Sequence, residues 1–158
     1  MYLSGPAAQQ VAALFKEGPL EVIVLEGGAG AASALKVAFA SYTKGTAALL
    51  LAIRAFARAE GVDAALVQEW AHTLPGLPGQ CEGAVRGSAR KAWRFVGEME
   101  ESATAFKAAG LPDSFHRAAA ELYRRLERYK DTDQPPSLEE AIAVILQLRQ
   151  CNKELQPR

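Results

Sequence analysis

From Ala31 to Glu60 the chain contains no proline and one glycine, Gly45, so nothing in that stretch stops a helix. Directly before it stands Gly27-Gly28-Ala29-Gly30. Glycine lets the backbone turn sharply and lets another backbone or a ligand come close. Lys36 follows less than two turns into the predicted helix. A lysine fixed there, beside a flexible joint, can be aimed into a cleft, and it transfers protons where its surroundings lower its pKa. One long rod with a hinge at its start constrains the architecture and supplies the first candidate for chemistry.

The 158 residues are enough for one domain with a real core. Eighteen basic residues balance 18 acidic ones, and no long basic run occurs, so nucleic-acid binding has no support. The longest apolar run, Ala47 to Ile53, is far short of the roughly 18 to 20 residues a membrane span needs. The N-terminus lacks the basic-then-apolar pattern of a secretory signal. Cys81 and Cys151 make neither a disulfide framework nor, with His72 and His116, a metal-ligand spacing. Two free thiols fit a reducing cytoplasm. Alanine and leucine dominate the 49% apolar content, which predicts close-packed helices.

The first 26 residues differ from the rest. Tyr2-Leu3 is a short apolar start, and Ser4-Gly5-Pro6 suits a turn into a helix carrying Val11, Leu14 and Phe15. Leu20 to Leu25 is β-branched, bounded by turn residues, and reads as a strand. Strand, helix, strand is half of an α/β unit, and its unpaired edges call for completion by something further or by a second copy. Beyond the hinge everything reads as helix. The long one stops at Gly61. A second starts at Val62-Asp63, with Asp63 as N-cap, and ends before Pro75-Gly76-Leu77-Pro78-Gly79. A third covers Glu82 to Ala109 with Trp93, Val96, Met99 and Ala103 on one stripe, and ends at Gly110-Leu111-Pro112. Asp113 caps a fourth. Ser137-Leu138-Glu139-Glu140 has the form of a capping box and opens the last helix, through Leu148. The tail from Cys151 to Arg158 reads as frayed. Trp70 and Trp93 read as core or interface, and His116 and His72 as hydrogen-bonding surface residues.

This order of elements resembles the C-terminal part of the β-hydroxyacid dehydrogenases, the group of 3-hydroxyisobutyrate and 6-phosphogluconate dehydrogenases. Tyr2-Leu3-Ser4-Gly5-Pro6, Ala32-Ser33-Ala34-Leu35-Lys36, Tyr42-Thr43-Lys44-Gly45-Thr46 and Arg54 to Val62 are similar to a helical domain of prokaryotic members. Trp93-Arg94-Phe95, Glu98-Met99-Glu100 and Gly110-Leu111-Pro112 followed by Phe115-His116 fit the same domain. The resemblance implies an all-α fold, a 6-phosphogluconate dehydrogenase C-terminal-like bundle with one long helix. A strand-helix-strand remnant of a Rossmann domain would precede it. Residues 1–26 would be the tail of the nucleotide-binding domain, and residues 27–158 the substrate-binding and dimerising domain. It implies NADP or NAD in a complete enzyme, none held by this chain alone, since no Gly-x-Gly-x-x-Gly follows a strand. A fragment of this kind would be inactive by itself.

By the same resemblance Lys36 matches the general acid/base lysine. The family pattern is Gly-x-Gly-x-x-x-Lys-x-x-His/Asn-Asn. Here Gly30 stands at its first glycine, near the cofactor, Ala32 replaces the second, and Phe39 and Ala40 replace the polar pair. Ser33, one turn before Lys36, is a candidate for substrate binding. Thr43 and Lys44 follow at near-helical register and are candidates to replace the missing pair. Glu98 stands where the family has an acid, with Gly97 in place of its lysine. The expected partners are a small hydroxy acid and a second copy of the chain. The rival expectation is a free-standing dimerisation or interaction module, whose intermolecular core is the long helix and the Trp93 stripe, with Lys36 incidental.

Overall fold

A computed structural model describes residues 1–153, with side chains through residue 147. The chain divides into two compact units, Met1–Ala40 and Ser41–Arg158. The fold is mostly helical with one small sheet.

In the first unit β1 (Tyr2–Leu3) and β2 (Ile23–Val24) pair in parallel, Tyr2 opposite Ile23 and Leu3 opposite Val24. Helix α1 (Ala8–Ala13) connects them. The strand predicted over Leu20 to Leu25 is thus two paired residues. β1 is equally short, so Leu20 to Val22 have no strand opposite them. Gly5 turns the chain at φ +100°, and a Cβ there would sit 3.2 Å from the Ala29 Cα. Glycine is required on both counts.

Helix α2 (Ala31–Ala59) is the predicted rod. It ends at Gly61, φ +73°, where the Val62 N–H reaches back to the Ala57 carbonyl at 2.9 Å. This six-to-one bond across a left-handed glycine closes the helix by satisfying a carbonyl that has no partner within it. Gly110 ends α5 in the same way, with the Leu111 N–H on the Phe106 carbonyl.

In the second unit α3 covers Asp63–Thr73, α4 Leu77–Ser88, α5 Ala92–Ala108, α6 Ser114–Leu126 and α7 Leu138–Lys153. Two boundaries differ from the reading of the sequence. The stretch Leu77-Pro78-Gly79 belongs to α4 instead of a loop, because proline in a first turn gives up an N–H that has no intrahelical acceptor there anyway. The third predicted helix is broken by a 3-10 turn at Ala89–Lys91. Just before it, the Ser88 hydroxyl donates to the Ala84 carbonyl at 2.5 Å, a back-bond that bends helices. Asp63 is the first residue of α3 and makes no cap. Asp113 flanks α6 without a capping bond and instead accepts from Arg117 at 2.8 Å.

The capping box forms. Ser137 Oγ accepts from the Glu140 N–H at 3.2 Å, and the Glu140 carboxylate accepts from the Ser137 N–H at 2.8 Å. The Ser137 amide and then its hydroxyl hold the Glu140 carboxyl below its ordinary range.

Small residues let the helices approach. Ala48, Ala55, Ala89, Ala92, Ala119, Ala120 and Ala141 are buried around Leu51, Met99, Tyr123, Leu126 and Ile142. Leu50, Trp70 and Cys81 form a second cluster. Trp93 is 46% exposed and lies under the Lys130 amine at 4.7 Å, so the predicted stripe holds for Met99 and Ala103 but not for Trp93.

Candidate functional site

In the first unit, an open cleft of about 650 Å³ is lined by Tyr2, Ala32, Ser33, Leu35, Lys36 and Phe39. Ser33 and Lys36 are exposed, three residues apart on consecutive turns of α2, so they share its face. Tyr2, on β1, and Phe39, on α2, are also in the lining. The Ser33 hydroxyl, the Lys36 amine and the phenol of Tyr2 are the polar side-chain groups of the lining.

The start of α2 is held by the chain itself. Ser4 Oγ accepts from the Ala32 N–H at 3.0 Å and donates to the Ala29 carbonyl at 3.0 Å. The Ala31 N–H donates to the Gly28 carbonyl, and the Ala34 N–H to the Gly30 carbonyl. A pyrophosphate at a helix start needs such amides free. Three of them already have acceptors here, so the start of α2 does not offer a pyrophosphate a set of free amides. Gly30 is exposed and shows no close approach that a side chain would obstruct.

In the second unit the structure brings two predicted residues together. Lys44 Nζ lies 3.1 Å from Glu98 Oε2, the two side chains being 22% and 25% exposed. The amine also stands 5.1 Å from the centroid of the Phe95 ring, on its face. The ring of Tyr123 meets Phe95 edge-on at 5.4 Å, and its hydroxyl donates to the Lys44 carbonyl at 2.7 Å. Tyr123 is fully buried, and burial together with the nearby Glu98 pushes its phenol well above the ordinary range. Thr43 is half-buried beside this cluster. The cluster is a fixed cation on an aromatic face, compensated by one carboxylate, and Tyr123 is the member that sequence reasoning missed.

A second charged cluster is structural. Arg54, 6% exposed, grips Asp63 through Nε at 2.6 Å and Nη2 at 3.0 Å, across the turn between α2 and α3. Arg58 adds a bond to Asp63 at 3.1 Å and another to Glu139. Arg54 first, then Arg58, hold the Asp63 carboxyl below its ordinary range. Cys81 is fully buried beside them, and desolvation raises its thiol against the opposing pull of Arg54. A thiol kept protonated is unreactive.

His116 is not a surface residue. It is 4% exposed between Phe106, at 4.1 Å, and Phe115, at 5.4 Å, its Nδ1 has no hydrogen-bond partner among the described residues, and burial lowers its pKa. His72 is exposed near the end of α3. Among the described residues no cluster of histidine, cysteine or carboxylate side chains can hold a metal, and no helix is long and apolar enough to cross a membrane. Cys151 and the tail behind it lie outside the residues whose side chains are described.

Residues 57–126 match the family model of a domain of unknown function, DUF1932. A conserved hypothetical protein from Sinorhizobium meliloti 1021 is similar in structure, with a TM-score of 0.77 and 24% identity over 92% of this chain and 50% of that one. The conserved protein MTH1747, of unknown function and described as structurally similar to 3-hydroxyacid dehydrogenases, matches with a TM-score of 0.56 and 22% identity. It covers 99% of this chain and 52% of its own. This chain has a 3-hydroxyacid dehydrogenase-like fold. It spans about half the length of each of these two structures. No curated protein matches it.

Proposed function

We propose that this chain is the substrate-binding and dimerising part of an NAD(P)-dependent oxidoreductase acting on a small β-hydroxy acid. The observation that supports it is the cleft lined by Ser33 and Lys36, an amine and a hydroxyl on one helical face above apolar walls. In this reading residues 1–26 end a nucleotide-binding α/β domain and residues 27–158 form the substrate domain. The dinucleotide belongs to the complete enzyme and is not held by this chain alone, whose amides at the start of α2 are occupied, and this chain alone does not turn over. A nicotinamide dinucleotide, if the complete enzyme binds one, would supply the hydride chemistry at the substrate carbon.

The chain's own residues do the rest. Ser33 donates to the substrate and sets its orientation. Lys36 takes the proton from the substrate hydroxyl as it becomes a carbonyl, and returns it in the reverse direction. Tyr2, Leu35 and Phe39 exclude water from the apolar side of the ligand. Thr43, Lys44 and Glu98 are carried over from the family resemblance as candidate substrate contacts, and within the second unit Glu98 keeps the Lys44 amine in place. Gly30 is the proposed cofactor contact at the hinge, beside a helix start whose Ala32 N–H is held by Ser4.

Calorimetric titration of the chain with 3-hydroxy acids and their deoxy analogues tests this. The hydroxy acids should bind more tightly than the deoxy analogues, and Lys36→Gln should remove that preference. Equal binding of both series, or a preference untouched by Lys36→Gln, would overturn the reading.

A second reading, a self-associating module without catalysis, is favoured by the bare apolar face of α2.

A further inference from the structure

The second unit holds a cavity of its own, of about 630 Å³. Small-molecule sites are clefts of roughly 300–1,000 Å³ with apolar walls and a few placed polar groups. Here the walls are Val67 on α3, Val85 on α4 and Leu138 at the start of α7. Pro78, Pro135 and Pro136 complete the apolar side, and the ring of each fixes its own φ. Ser137, also in the lining, is held through both its hydroxyl and its amide by the Glu140 carboxylate. The walls are thus shaped before a ligand arrives.

Four charged side chains line the cavity, and two of them are satisfied from behind. Arg54 directs Nε and Nη2 at Asp63, and Glu139 pairs with Arg58; neither Asp63 nor Arg58 is in the lining. The other two, Glu82 and Arg86, form ion pairs only with each other among the described residues. They stand one turn apart on α4, with 3.9 Å between Glu82 Oε2 and Arg86 Nη1, and are 62% and 66% exposed. A pair so long and so exposed adds little to stability. It leaves a carboxylate and a guanidinium side by side at an apolar cavity, each with hydrogen-bonding capacity unused.

We infer that this cavity binds a small zwitterion with an apolar body, an α-amino acid whose ammonium meets Glu82 and whose carboxylate meets Arg86. The spacing selects that class. A single carbon separates the two charged groups of an α-amino acid, so such a ligand reaches two neighbouring counter-charges at once. A simple carboxylate or a simple amine satisfies one side chain and leaves the other to water. The planar guanidinium suits the carboxylate end, which it can engage through two parallel bonds. The apolar side chain then lies against Val67, Val85, Leu138 and the prolines, where its burial adds affinity. This inference does not depend on the reading of the Ser33–Lys36 cleft.

Calorimetry and amide chemical-shift mapping on the full chain, with L-leucine as the probe, decide this. Leucine should bind saturably and shift the amides of α4 and of Ser137 to Glu139. Isocaproate lacks the ammonium and isoamylamine lacks the carboxylate. Each should bind about tenfold more weakly, the worth of one charge-assisted contact. Glu82→Gln and Arg86→Gln, both at exposed positions, should keep the wild-type melting temperature and each lose about tenfold in leucine affinity. Lys36→Gln should leave leucine affinity unchanged. The absence of saturable leucine binding overturns the site. Isocaproate or isoamylamine binding as tightly as leucine overturns the zwitterion. Affinity untouched by Glu82→Gln and Arg86→Gln, or lost in Lys36→Gln, overturns the placement. None of these results touches the preference for hydroxy acids over deoxy analogues, which tests the cleft of the first unit separately.

Discussion

Removing Asp63 should be among the most damaging single changes at a charged residue. Its carboxylate accepts two bonds from Arg54, at 2.6 and 3.0 Å, and a third from Arg58 at 3.1 Å, with 13% of the side chain exposed. Asp63→Ala leaves the Arg54 guanidinium, its side chain 7% exposed, without its carboxylate partner and beside the Cys81 thiol. Breaking a buried pair from one side costs about 3–5 kcal/mol. The residual exposure of Asp63 puts the expected value near the lower end, about 3 kcal/mol. At roughly 2–4 °C per kcal/mol for a chain of this size, the melting temperature falls by roughly 6–12 °C. Urea unfolding followed by circular dichroism measures it, and Arg54→Leu/Asp63→Leu supplies the control. The double variant should be more stable than the sum of the single losses predicts, because no charge is stranded. A loss below about 1 kcal/mol for Asp63→Ala, the level of a surface pair, would refute the reasoning. The pair also has a pH signature. A depressed carboxyl contributes stability that is complete above the ordinary aspartate pKa and disappears as pH falls through the folded value. Asp63→Ala should flatten the acid limb of the stability curve.

Burial lowers the His116 pKa, so the unfolded chain binds a proton that the folded chain refuses. Stability should therefore fall as pH drops below about 6.5, and His116→Leu should remove that slope in denaturant midpoints taken across the range. Tyr123→Phe deletes one hydrogen bond, the 2.7 Å contact to the Lys44 carbonyl, and should cost about 1 kcal/mol in urea unfolding without changing the m-value. Gly45→Ala places a Cβ 3.1 Å from Phe115 Cε1, yet that ring is 46% exposed and free to shift. The gain in helix propensity should then leave the variant as stable as wild type or up to about 0.5 kcal/mol more stable by thermal melting. Ser137→Ala breaks the capping box and should cost about 1 kcal/mol in the same measurement.

Local rules were legible in the sequence where the structure uses local rules. The absence of breakers from Ala31 onward gave α2, and Gly61 and Gly110 gave two helix ends that turn on a left-handed residue. Ser137 and Glu140 gave a cap that forms as read. Where tertiary contacts decide, residue type misled. Trp70 and Trp93 look alike in sequence, yet one is core and the other exposed. His116 looks like a surface residue beside Arg117, but Phe106 on α5 covers it. Pro78 looks like a loop residue and sits in the first turn of α4. The Lys44–Glu98 pair joins residues far apart in the chain. Neither residue carries a local mark of the other, and resemblance to a family supplied both as candidates. Tyr123 carried no local signal in the sequence, and its hydroxyl contact to α2 emerges only from packing.

The proposal that Lys36 meets the ligand is tested most directly by intermolecular nuclear Overhauser contacts from a bound 3-hydroxy acid. The account predicts contacts from the ligand's carbon-bound protons to the side chains of Lys36, Leu35 and Phe39, the walls of the cleft. Contacts confined to other residues, with the Lys36 methylenes silent at saturation, would contradict it.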